Sequence, residues 1–236
     1  MTDYTYIGSE LSLFAMARNW KSYFRSHLVP YLRGAEVLEV GAGIGANTRL
    51  LAGTGFQRWV CLEPDRQLAA RLKADLPAVD RTELVIGRLA DLDSSRRFDA
   101  ILYLDVLEHI PDDHAELGLA TERLKTRGTL IVLAPAHQWL FTPFDEAVGH
   151  CRRYTKASLA AAAPRRLRAE KLIYLDSIGL LASLGNRLLL QSRMPTEAQI
   201  RIWDRWLVPC SRWVDPLLAY HGGKSVLAVW RNPGAG

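Results

Sequence analysis

One short segment in the second half of the chain concentrates side chains that can hold or move a proton. An aspartate, a histidine, two arginines and a tyrosine follow one another there: Asp145, His150, Arg152, Arg153 and Tyr154. An imidazole can accept a proton near neutral pH, and a neighbouring carboxylate can orient it. We therefore predict that His150 acts as a general base oriented by Asp145, and that Tyr154 donates a hydrogen bond to the substrate. Arg152 and Arg153 would bind a carboxylate or phosphate on the substrate.

The same segment also allows a structural interpretation. Asp145, His150 and the two arginines could form an internal network of ion pairs that folds the loop, without any contact to a substrate. His137, which follows the apolar run before this segment, is a second candidate base. The residue types alone leave these alternatives open.

A second chemical feature lies near residue 40. An apolar run ends in Glu39, and glycines follow at alternate positions: Gly41, Gly43 and Gly45. This pattern predicts a buried strand that turns sharply into a helix, with bare backbone where a ligand comes close. Gly41, Gly43 and Ala46 also satisfy the spacing of a dinucleotide-binding turn, G-x-G-x-x-G/A. However, the carboxylate of Glu39 would repel a pyrophosphate and would suit a ligand that carries an ammonium or sulfonium charge.

The glycine motif resembles the first motif of class I S-adenosylmethionine-dependent methyltransferases. A second block, with Asp105, Glu108, His109 and Asp112, is similar to the Asp-x-x-x-Glu-His-x-x-Asp block that the family carries after its fourth strand. The segment from Asp145 to Tyr154 resembles a block of a large bacterial subgroup of the same family. The resemblance covers residues 35–135 in the right order, and it implies S-adenosylmethionine as cofactor and S-adenosylhomocysteine as product.

The resemblance also implies roles for individual residues. Glu39 would bind the methionine ammonium and Glu63 the ribose hydroxyls. Asp91 matches the residue at the adenine edge, although the nearby Asp93 could take that place and either could instead cap a short helix. Asp105 would close the methionine side of the cofactor, and Glu108 and His109 would face the substrate. Residues that adjoin these positions complete the predicted cofactor site: Asn47, Pro64, Leu92 and Val106.

These residues need a particular set of elements to bring them together. Strands alternate with helical patterns, which predicts an α/β fold with a doubly wound, Rossmann-like, seven-stranded sheet. The predicted strands cover 36–40, 58–63, 83–87, 98–105, 128–134, 169–175 and 225–230. The predicted helices cover 9–29, 45–53, 65–76, 112–126 and 155–163. The whole chain, 1–236, is interpreted as one methyltransferase domain with a cofactor-binding core at 35–135.

Two helical segments flank that core as predicted lids. The first covers 1–34, and the second is an insertion at about 176–222 within the substrate-side half, 136–236. The insertion carries an apolar, tryptophan-rich stripe with arginines on other faces, predicted as one amphipathic helix or as two broken at Pro209 and Pro216. Three interpretations stay open: a lid over the substrate, core or a dimer face, and a helix that rests on a membrane surface.

Charge and cysteine content narrow the class of protein. The net charge is +5, but residues 151–236 hold 14 Lys and Arg against 5 Asp and Glu. This basic half suggests an anionic partner or surface, or solvated helix faces. The three cysteines and the polar N-terminus predict a reduced, cytoplasmic protein, and no cysteine or histidine spacing predicts a metal site. No apolar stretch reaches the roughly 20 residues that span a membrane.

The predicted substrate is a small metabolite, anionic or amphipathic, that is methylated on oxygen, nitrogen or carbon. A nucleic-acid substrate is disfavoured because the Asn/Asp-Pro-Pro-aromatic turn of amino-methylating enzymes is replaced by Leu104–Leu107. A lipid-linked substrate with a peripheral membrane contact fits the insertion, and either a monomer or a homodimer is expected. The alternatives are a nicotinamide-dependent oxidoreductase and a non-catalytic subunit that binds the cofactor.

Overall fold

A computed structural model describes residues 5–8, 10–75, 81–189 and 194–233, without the side chains of 186–189. Seven strands alternate with helices, as the sequence predicts. The strands are β1 (Glu36–Val40), β2 (Arg58–Glu63), β3 (Thr82–Ile86), β4 (Phe98–Leu104), β5 (Leu124–Pro135), β6 (Arg168–Leu175) and β7 (Ser225–Arg231).

The strands form one mixed sheet in the order β3-β2-β1-β4-β5-β7-β6. Neighbouring strands from β3 to β5 are parallel, whereas β7 pairs antiparallel with both β5 and β6. The strand order reverses at β1 and β4, which lie side by side in the middle of the sheet. Ligands of open α/β sheets bind at such a reversal, outside the carboxyl ends of the strands.

The helices cover both faces of this sheet. They are α1 (Leu11–Ala15), α2 (Arg18–Leu32), α3 (Ala46–Leu51), α4 (Arg66–Asp75), α5 (Asp113–Glu122), α6 (Pro143–Val148), α7 (Lys156–Ala162), α8 (Ser177–Leu189), α9 (Glu197–Ile202) and α10 (Val208–Leu217). Side chains of one strand point alternately to the two faces, so Val37 and Leu38 belong to different core clusters. The helices α2, α9 and α10 share the cluster of Val37.

The predicted helix at 9–29 was wrong in one respect, because the structure divides it into α1 and α2. Ala17 leaves the helical region with ψ of 73°. The first N–H groups of α2 then have no partner inside the helix, and the carboxylate of Asp204 accepts hydrogen bonds from those of Asn19 and Trp20 at 3.1 and 2.9 Å. A side chain distant in sequence thus determines where α2 begins.

Of the two alternatives predicted for the insertion's tryptophan-rich stripe, the structure shows one continuous helical path and not two helices broken at Pro209 and Pro216. The helical path runs from α9 through a π turn, Trp203–Leu207, into α10. Pro209 lacks the N–H that a regular helix needs, and the π turn before it accommodates this loss. Pro216 lies one residue before the end of α10. Among the residues that the structure describes, no helix has the length and apolarity needed to cross a membrane.

Candidate functional site

The glycine turn lies at the carboxyl end of β1, in the middle of the sheet. Gly41, Gly43 and Gly45 have φ angles of 68°, 56° and 75°, which side-chain-bearing residues rarely adopt. A Cβ on Gly41 would lie 2.7 Å from a methyl carbon of Val106. The backbone therefore approaches the loop after β4 more closely than any other residue type allows. Bare backbone in a cleft at the strand reversal fits an extended ligand such as a nucleoside cofactor.

Glu39 lies in β1, two residues before Gly41, and is buried. Its Oε2 accepts hydrogen bonds from the Thr48 hydroxyl at 2.6 Å and the Trp59 indole N–H at 2.9 Å. Burial raises the pKa of Glu39 to about 7, against the hydrogen bonds and the charge of Lys21, which lower it. A buried carboxylate with a raised pKa gains stability when a cation comes close.

Glu63 ends β2 on the other side of the glycine turn. Its two carboxylate oxygens accept hydrogen bonds from the backbone N–H groups of Gly43 at 2.7 Å and Asp65 at 2.9 Å. Burial raises the pKa of Glu63. The carboxylate thus holds the glycine turn in place at the predicted ribose position. Pro64 follows directly and is half-buried.

The predicted adenine contacts lie after β3. Asp91 is exposed, and its Oδ2 accepts a hydrogen bond from the Arg88 N–H at 2.9 Å, which caps a short 3-10 turn. Leu92 is buried in the core cluster that also contains Phe98. The Asp91 carboxylate is therefore accessible to a ligand. The Leu92 side chain is buried, so a ligand could contact only the backbone of that residue.

Asp105 stands at the carboxyl end of β4, beside the glycine turn. It has a φ of 57°, and part of the residue is open to solvent although protein atoms surround its carboxylate. Burial in the cleft raises the pKa of Asp105 to about 6, against the positive charges of Lys21, His150 and Lys224. These four groups therefore face one another across the same cleft.

Glu108 and His109 follow in a 3-10 turn. The Glu108 carboxylate is fully buried, and neither oxygen has a hydrogen-bond partner in the part of the chain that the structure describes. Burial raises the pKa of Glu108 well above its usual range, and the charge of Asp105 raises it further. Burial also lowers the pKa of His109 to about 4, and the charge of His150 adds to this effect.

The Asp145–His150 pair forms because of how α6 begins and ends. Thr142 caps α6 and donates its N–H to Asp145 Oδ2 at 2.8 Å. Gly149, with φ of 83°, ends α6 and turns the chain back, so that His150 Nδ1 lies 2.7 Å from Asp145 Oδ1. Arg153 binds both oxygens of the same carboxylate at 2.8 and 2.9 Å. Burial alone would raise the pKa of Asp145, but the hydrogen bonds from His150 and Arg153 lower it to about 2.

Two of the predicted substrate-binding groups are used inside the protein. The buried Tyr154 hydroxyl donates a hydrogen bond to Asp113 Oδ2 at 2.7 Å, and Arg152 pairs with the same carboxylate at 2.8 Å. These contacts attach the segment to the start of α5. The geometry therefore contradicts the prediction that Tyr154 hydrogen-bonds the substrate. The pairing of Arg152 with Asp113, like that of Arg153 with Asp145, matches the structural interpretation of the two arginines.

His137 is also placed away from the predicted role of a second base. Its Nε2 lies 3.0 Å from the Gly223 carbonyl oxygen, and its ring packs between Trp139 and Tyr174, at centroid distances of 5.4 and 4.8 Å. Burial lowers the pKa of His137. The ring thus joins the end of β5 to the loop before β7.

Two lysines in the cleft had no signal in the sequence analysis. The Nζ of Lys21 donates to Asn47 Oδ1 at 2.9 Å, and burial lowers the pKa of Lys21 against the charges of Asp105 and Glu39. The Nζ of Lys224 lies 3.6 Å from the centre of the Trp203 ring and 3.6 Å from Asp176. Each lysine precedes or follows an apolar run, so only the fold reveals that it faces the cleft.

Comparison with known proteins identifies the family of this chain. The family described as "Methyltransferase domain" matches residues 16–166, which include the glycine turn, the β4 loop and the Asp145–His150 pair. The chain belongs to this methyltransferase family. The predicted family is thereby confirmed, and S-adenosylmethionine is the cofactor that goes with it.

Curated relatives match about half of the methyltransferase. A protein named ubiquinone biosynthesis O-methyltransferase, from Paramagnetospirillum magneticum, is 34% identical over 120 residues, which are 49% of this chain and 47% of the relative. A protein of the same name from Xanthomonas campestris is 33% identical over 104 residues, or 43% of each chain. The match thus spans about half the length of these relatives.

Solved structures match the fold over nearly the whole chain. The methyltransferase has a TM-score of 0.62, at 15% identity, with an S-adenosylmethionine-dependent methyltransferase from Mesorhizobium loti, covering 93% of this chain and 99% of that one. It has a TM-score of 0.59, at 14% identity, with the N-methyltransferase NodS from Bradyrhizobium japonicum in complex with S-adenosylhomocysteine, covering 92% and 86%. The seven-stranded, Rossmann-like methyltransferase fold is confirmed.

Proposed function

We propose that this methyltransferase transfers the methyl group of S-adenosylmethionine to a hydroxyl oxygen of a small, amphipathic acceptor. The observation that carries the proposal is the position of the Asp145–His150 pair beside Glu108 and Asp105. An oxygen nucleophile must lose its proton during methyl transfer, and an oriented imidazole in the same cleft is a suitable proton acceptor. The relatives that are named O-methyltransferases support an oxygen acceptor.

The cofactor contacts follow from the charges in the cleft. Glu39 and Asp105 would bind the methionine ammonium. Lys21, which donates a hydrogen bond to Asn47 and is influenced by the charges of both carboxylates, would bind the methionine carboxylate. Glu63 would accept hydrogen bonds from the ribose. The bare backbone of the glycine turn would line the nucleoside. Further cofactor contacts are proposed for Pro64, Asp91, Leu92 and Val106.

His150 would act on the acceptor rather than on the cofactor. S-adenosylmethionine supplies an electrophilic methyl group on sulfur, whose bond electrons stay with the sulfur as the acceptor oxygen forms its new bond to carbon. The acceptor proton passes to Nε2 of His150, since Nδ1 is engaged by Asp145. The Asp145 carboxylate stabilises the imidazolium that results, and Arg153 holds that carboxylate in place.

The proposed oxygen acceptor can be tested with matched compounds. Phenols, anilines and benzoates that carry the same apolar tail are incubated with S-adenosylmethionine, and release of S-adenosylhomocysteine is measured. We expect turnover of the phenols. We also expect His150→Gln to lower kcat by about 10²- to 10⁴-fold without a change in S-adenosylhomocysteine affinity. The exposed His114 provides the control, His114→Gln. Preferential methylation of the anilines would contradict the proposal.

The outer face of the insertion supports an amphipathic acceptor. Whereas Trp203 and Val208 pack inward, the opposite face of the helical path from α9 to α10 carries an exposed apolar stripe. Its members recur every three or four residues, namely Ile202, Trp206, Cys210, Trp213 and Leu217. Trp213 is 80% exposed and Leu217 85%. This stripe, which we call the outer stripe, has the spacing of one helix face.

The charges around the outer stripe favour an anionic membrane surface as its partner. Arg201, Arg205 and Arg212 are exposed along the same helix, whereas Asp204 and Asp215 are buried on the inner face. Tryptophan together with arginine is typical of helices that lie in the interface of anionic lipids. A methyltransferase seated there would meet an acceptor that partitions into the bilayer.

Vesicle sedimentation tests the membrane contact. We expect binding to vesicles with phosphatidylglycerol, weaker binding to pure phosphatidylcholine, and a loss of about tenfold in Trp206→Ser/Trp213→Ser. Trp139→Ser is the matched control, because Trp139 is 47% exposed outside this helix. Equal binding of the double variant, or a dimer in light scattering that the double substitution dissociates, would refute the contact.

A further inference from the structure

We propose that Glu108, His109 and His150 form a binding site for a divalent transition-metal ion, with Zn²⁺ as the best fit. The three residues come from the loop after β4 and the segment after α6, which the backbone hydrogen bond from Cys151 N–H to the Glu108 carbonyl joins at 2.7 Å. One ligand atom of each residue lies within 4.8 Å of the other two. The chain spacing of these residues matches no metal motif, so the sequence carries no signal for this site.

The first argument is the isolation of the Glu108 carboxylate. Both of its oxygens are buried without a hydrogen-bond partner in the described part of the chain. An unpartnered polar group inside a protein costs free energy, and an unpaired charge costs more. The carboxylate lies 3.9 Å, Oε1 to Nε2, from His150. A cation between these atoms would compensate the burial.

The second argument is the orientation of the two imidazoles. His150 holds Asp145 with Nδ1, which leaves Nε2 on the side of Glu108. His109 makes a hydrogen bond to the Gly149 backbone, and its ring lies 4.7 Å from that of His150 between centroids. Metal-binding histidines usually donate their second ring N–H to a carboxylate or a backbone carbonyl in this way.

The donor set indicates which ion would bind. Two imidazoles and one carboxylate suit Zn²⁺, Co²⁺ or Fe²⁺ better than Mg²⁺ or Ca²⁺, which prefer oxygen ligands. Zn²⁺ sites with two histidines, one glutamate and one open position are catalytic. Ligand atoms about 2.1 Å from Zn²⁺ lie about 3.4 Å apart in a tetrahedron, so the three side chains must draw together slightly.

The acceptor oxygen would bind at the open position of the ion. This step rests on the proposed function, whereas metal binding itself does not. A bound ion acidifies a hydroxyl group, so the proton would leave to solvent as the hydroxyl binds. His150 would then be a metal ligand instead of the proton acceptor. The acceptor class would be hydroxylated compounds whose oxygen can bind a metal directly.

Metal binding can be measured without any acceptor. Tag-free protein is treated with a chelator, dialysed and titrated with Co²⁺ alone, and visible d–d absorption is recorded. We expect one Co²⁺ per chain, displacement by Zn²⁺, and an affinity at least about tenfold lower in Glu108→Gln and in His109→Gln. His114→Gln and Cys151→Ser, which alter an exposed histidine and the neighbouring thiol, should bind Co²⁺ like the wild type. Calorimetric titration with S-adenosylhomocysteine shows that each variant is folded.

The outcomes separate this inference from the proposed function. No d–d absorption in the wild type, or absorption that both Glu108→Gln and His109→Gln retain, overturns the metal site. Undiminished methyl transfer to phenols by the chelator-treated protein overturns the role of the ion at the acceptor oxygen, and leaves His150 as the base. Stoichiometric Co²⁺ binding without phenol turnover would retain the metal site and refute the oxygen acceptor.

Discussion

At the scale of single residues, the Glu39 carboxylate is buried and lies near the positive charge of Lys21. Its pKa of about 7 results from burial, and a bound ammonium group would lower it. Cofactor binding therefore favours the ionised carboxylate. Burial raises the pKa of Asp105 to about 6, and a bound ammonium group would lower it in the same way. Protonation of either group at low pH weakens the attraction for the methionine ammonium.

This coupling predicts a pH dependence of cofactor affinity. We expect the affinity for S-adenosylhomocysteine to fall by roughly tenfold from pH 8 to pH 6, because only the ionised form of Glu39 attracts the ammonium. Calorimetric titration at the two pH values measures the change. In Glu39→Gln the affinity should be lower at pH 8 and should depend less on pH. A wild-type affinity that rises on acidification would contradict the role of Glu39.

The glycine turn gives a second prediction at this scale. In Gly41→Ala, the new methyl group meets Val106 at 2.7 Å and φ stays positive, so we expect the free energy of unfolding to fall by about 1–2 kcal/mol. Affinity for S-adenosylhomocysteine should fall too, because the loop must shift. Urea unfolding and calorimetry measure the two effects.

Gly118 supplies the matched control for that substitution. It lies inside α5, and a Cβ there would meet open space. Gly118→Ala should therefore raise the free energy of unfolding by about 0.5–1 kcal/mol and leave cofactor affinity unchanged. Equal effects of the two substitutions would show that the turn at Gly41 has no special constraint.

At the scale of elements, three strands end in the same unusual way. Asp105, His137 and Asp176 follow β4, β5 and β6, and each has a positive φ, of 57°, 66° and 68°. Such a backbone costs free energy in residues other than glycine. Asp105 faces the cleft, and Asp176 accepts a hydrogen bond from Trp203 of the insertion at 2.7 Å. The strained strand ends thus direct polar side chains to the edge where the site lies.

Asp215 attaches the insertion to the rest of the fold. Its buried carboxylate accepts hydrogen bonds from the N–H groups of Asp176 at 2.7 Å and Ser177 at 3.0 Å, and from the Tyr23 hydroxyl at 2.8 Å. One side chain therefore joins α10 to the end of β6 and to α2. The helices predicted as two separate lids are held together by this contact and by that of Asp204 with α2.

Removal of Asp215 should therefore be costly. In Asp215→Ala, three buried donors lose their acceptor, so we expect the free energy of unfolding to fall by about 2–4 kcal/mol. Tyr23→Phe removes only one of the three hydrogen bonds, and we expect a loss of about 1 kcal/mol. Urea unfolding measures both variants. A loss in Asp215→Ala no larger than that in Tyr23→Phe would show that this contact contributes little.

At the scale of the whole molecule, the insertion shares its core with the sheet. Ile200, Trp203 and Val208 lie in the same buried cluster as Val37 and Leu102 of the central strands. A lid that opens independently would not place its large side chains among those of the sheet. The inner face of the helical path from α9 to α10 is therefore core, and its outer stripe faces solvent.

This shared core predicts cooperative unfolding. Amide hydrogen exchange of α10 should be as slow as that of β1 and β4, because all three lose their packing together. The 3-10 turn at Leu89–Asp91, whose last two residues are exposed, should exchange much faster and serves as an internal reference. Exchange of α10 at the rate of that turn would instead indicate a lid that opens on its own.

Much of the fold follows from local sequence patterns. The alternation of strands and helices predicted all seven strands, and only the start of β5, at Leu124 rather than at 128, was displaced by more than one residue. The family follows from Glu39, the alternate glycines and the block after β4, because these residues are contiguous along the chain. The cofactor class was predictable for the same reason. Individual cofactor and acceptor roles stay predictions.

The tertiary structure alone decided which polar groups face one another. Lys21 and Lys224 reach the cleft from α2 and from the loop before β7, and no local pattern marks them. Tyr154 and His137 were predicted to serve the substrate, but packing turned them toward Asp113 and Gly223. Local patterns specify helices and strands because backbone hydrogen bonds and side-chain periodicity act over a few residues. The meeting of Glu108 with His150 depends on two loops that only the folded sheet brings together.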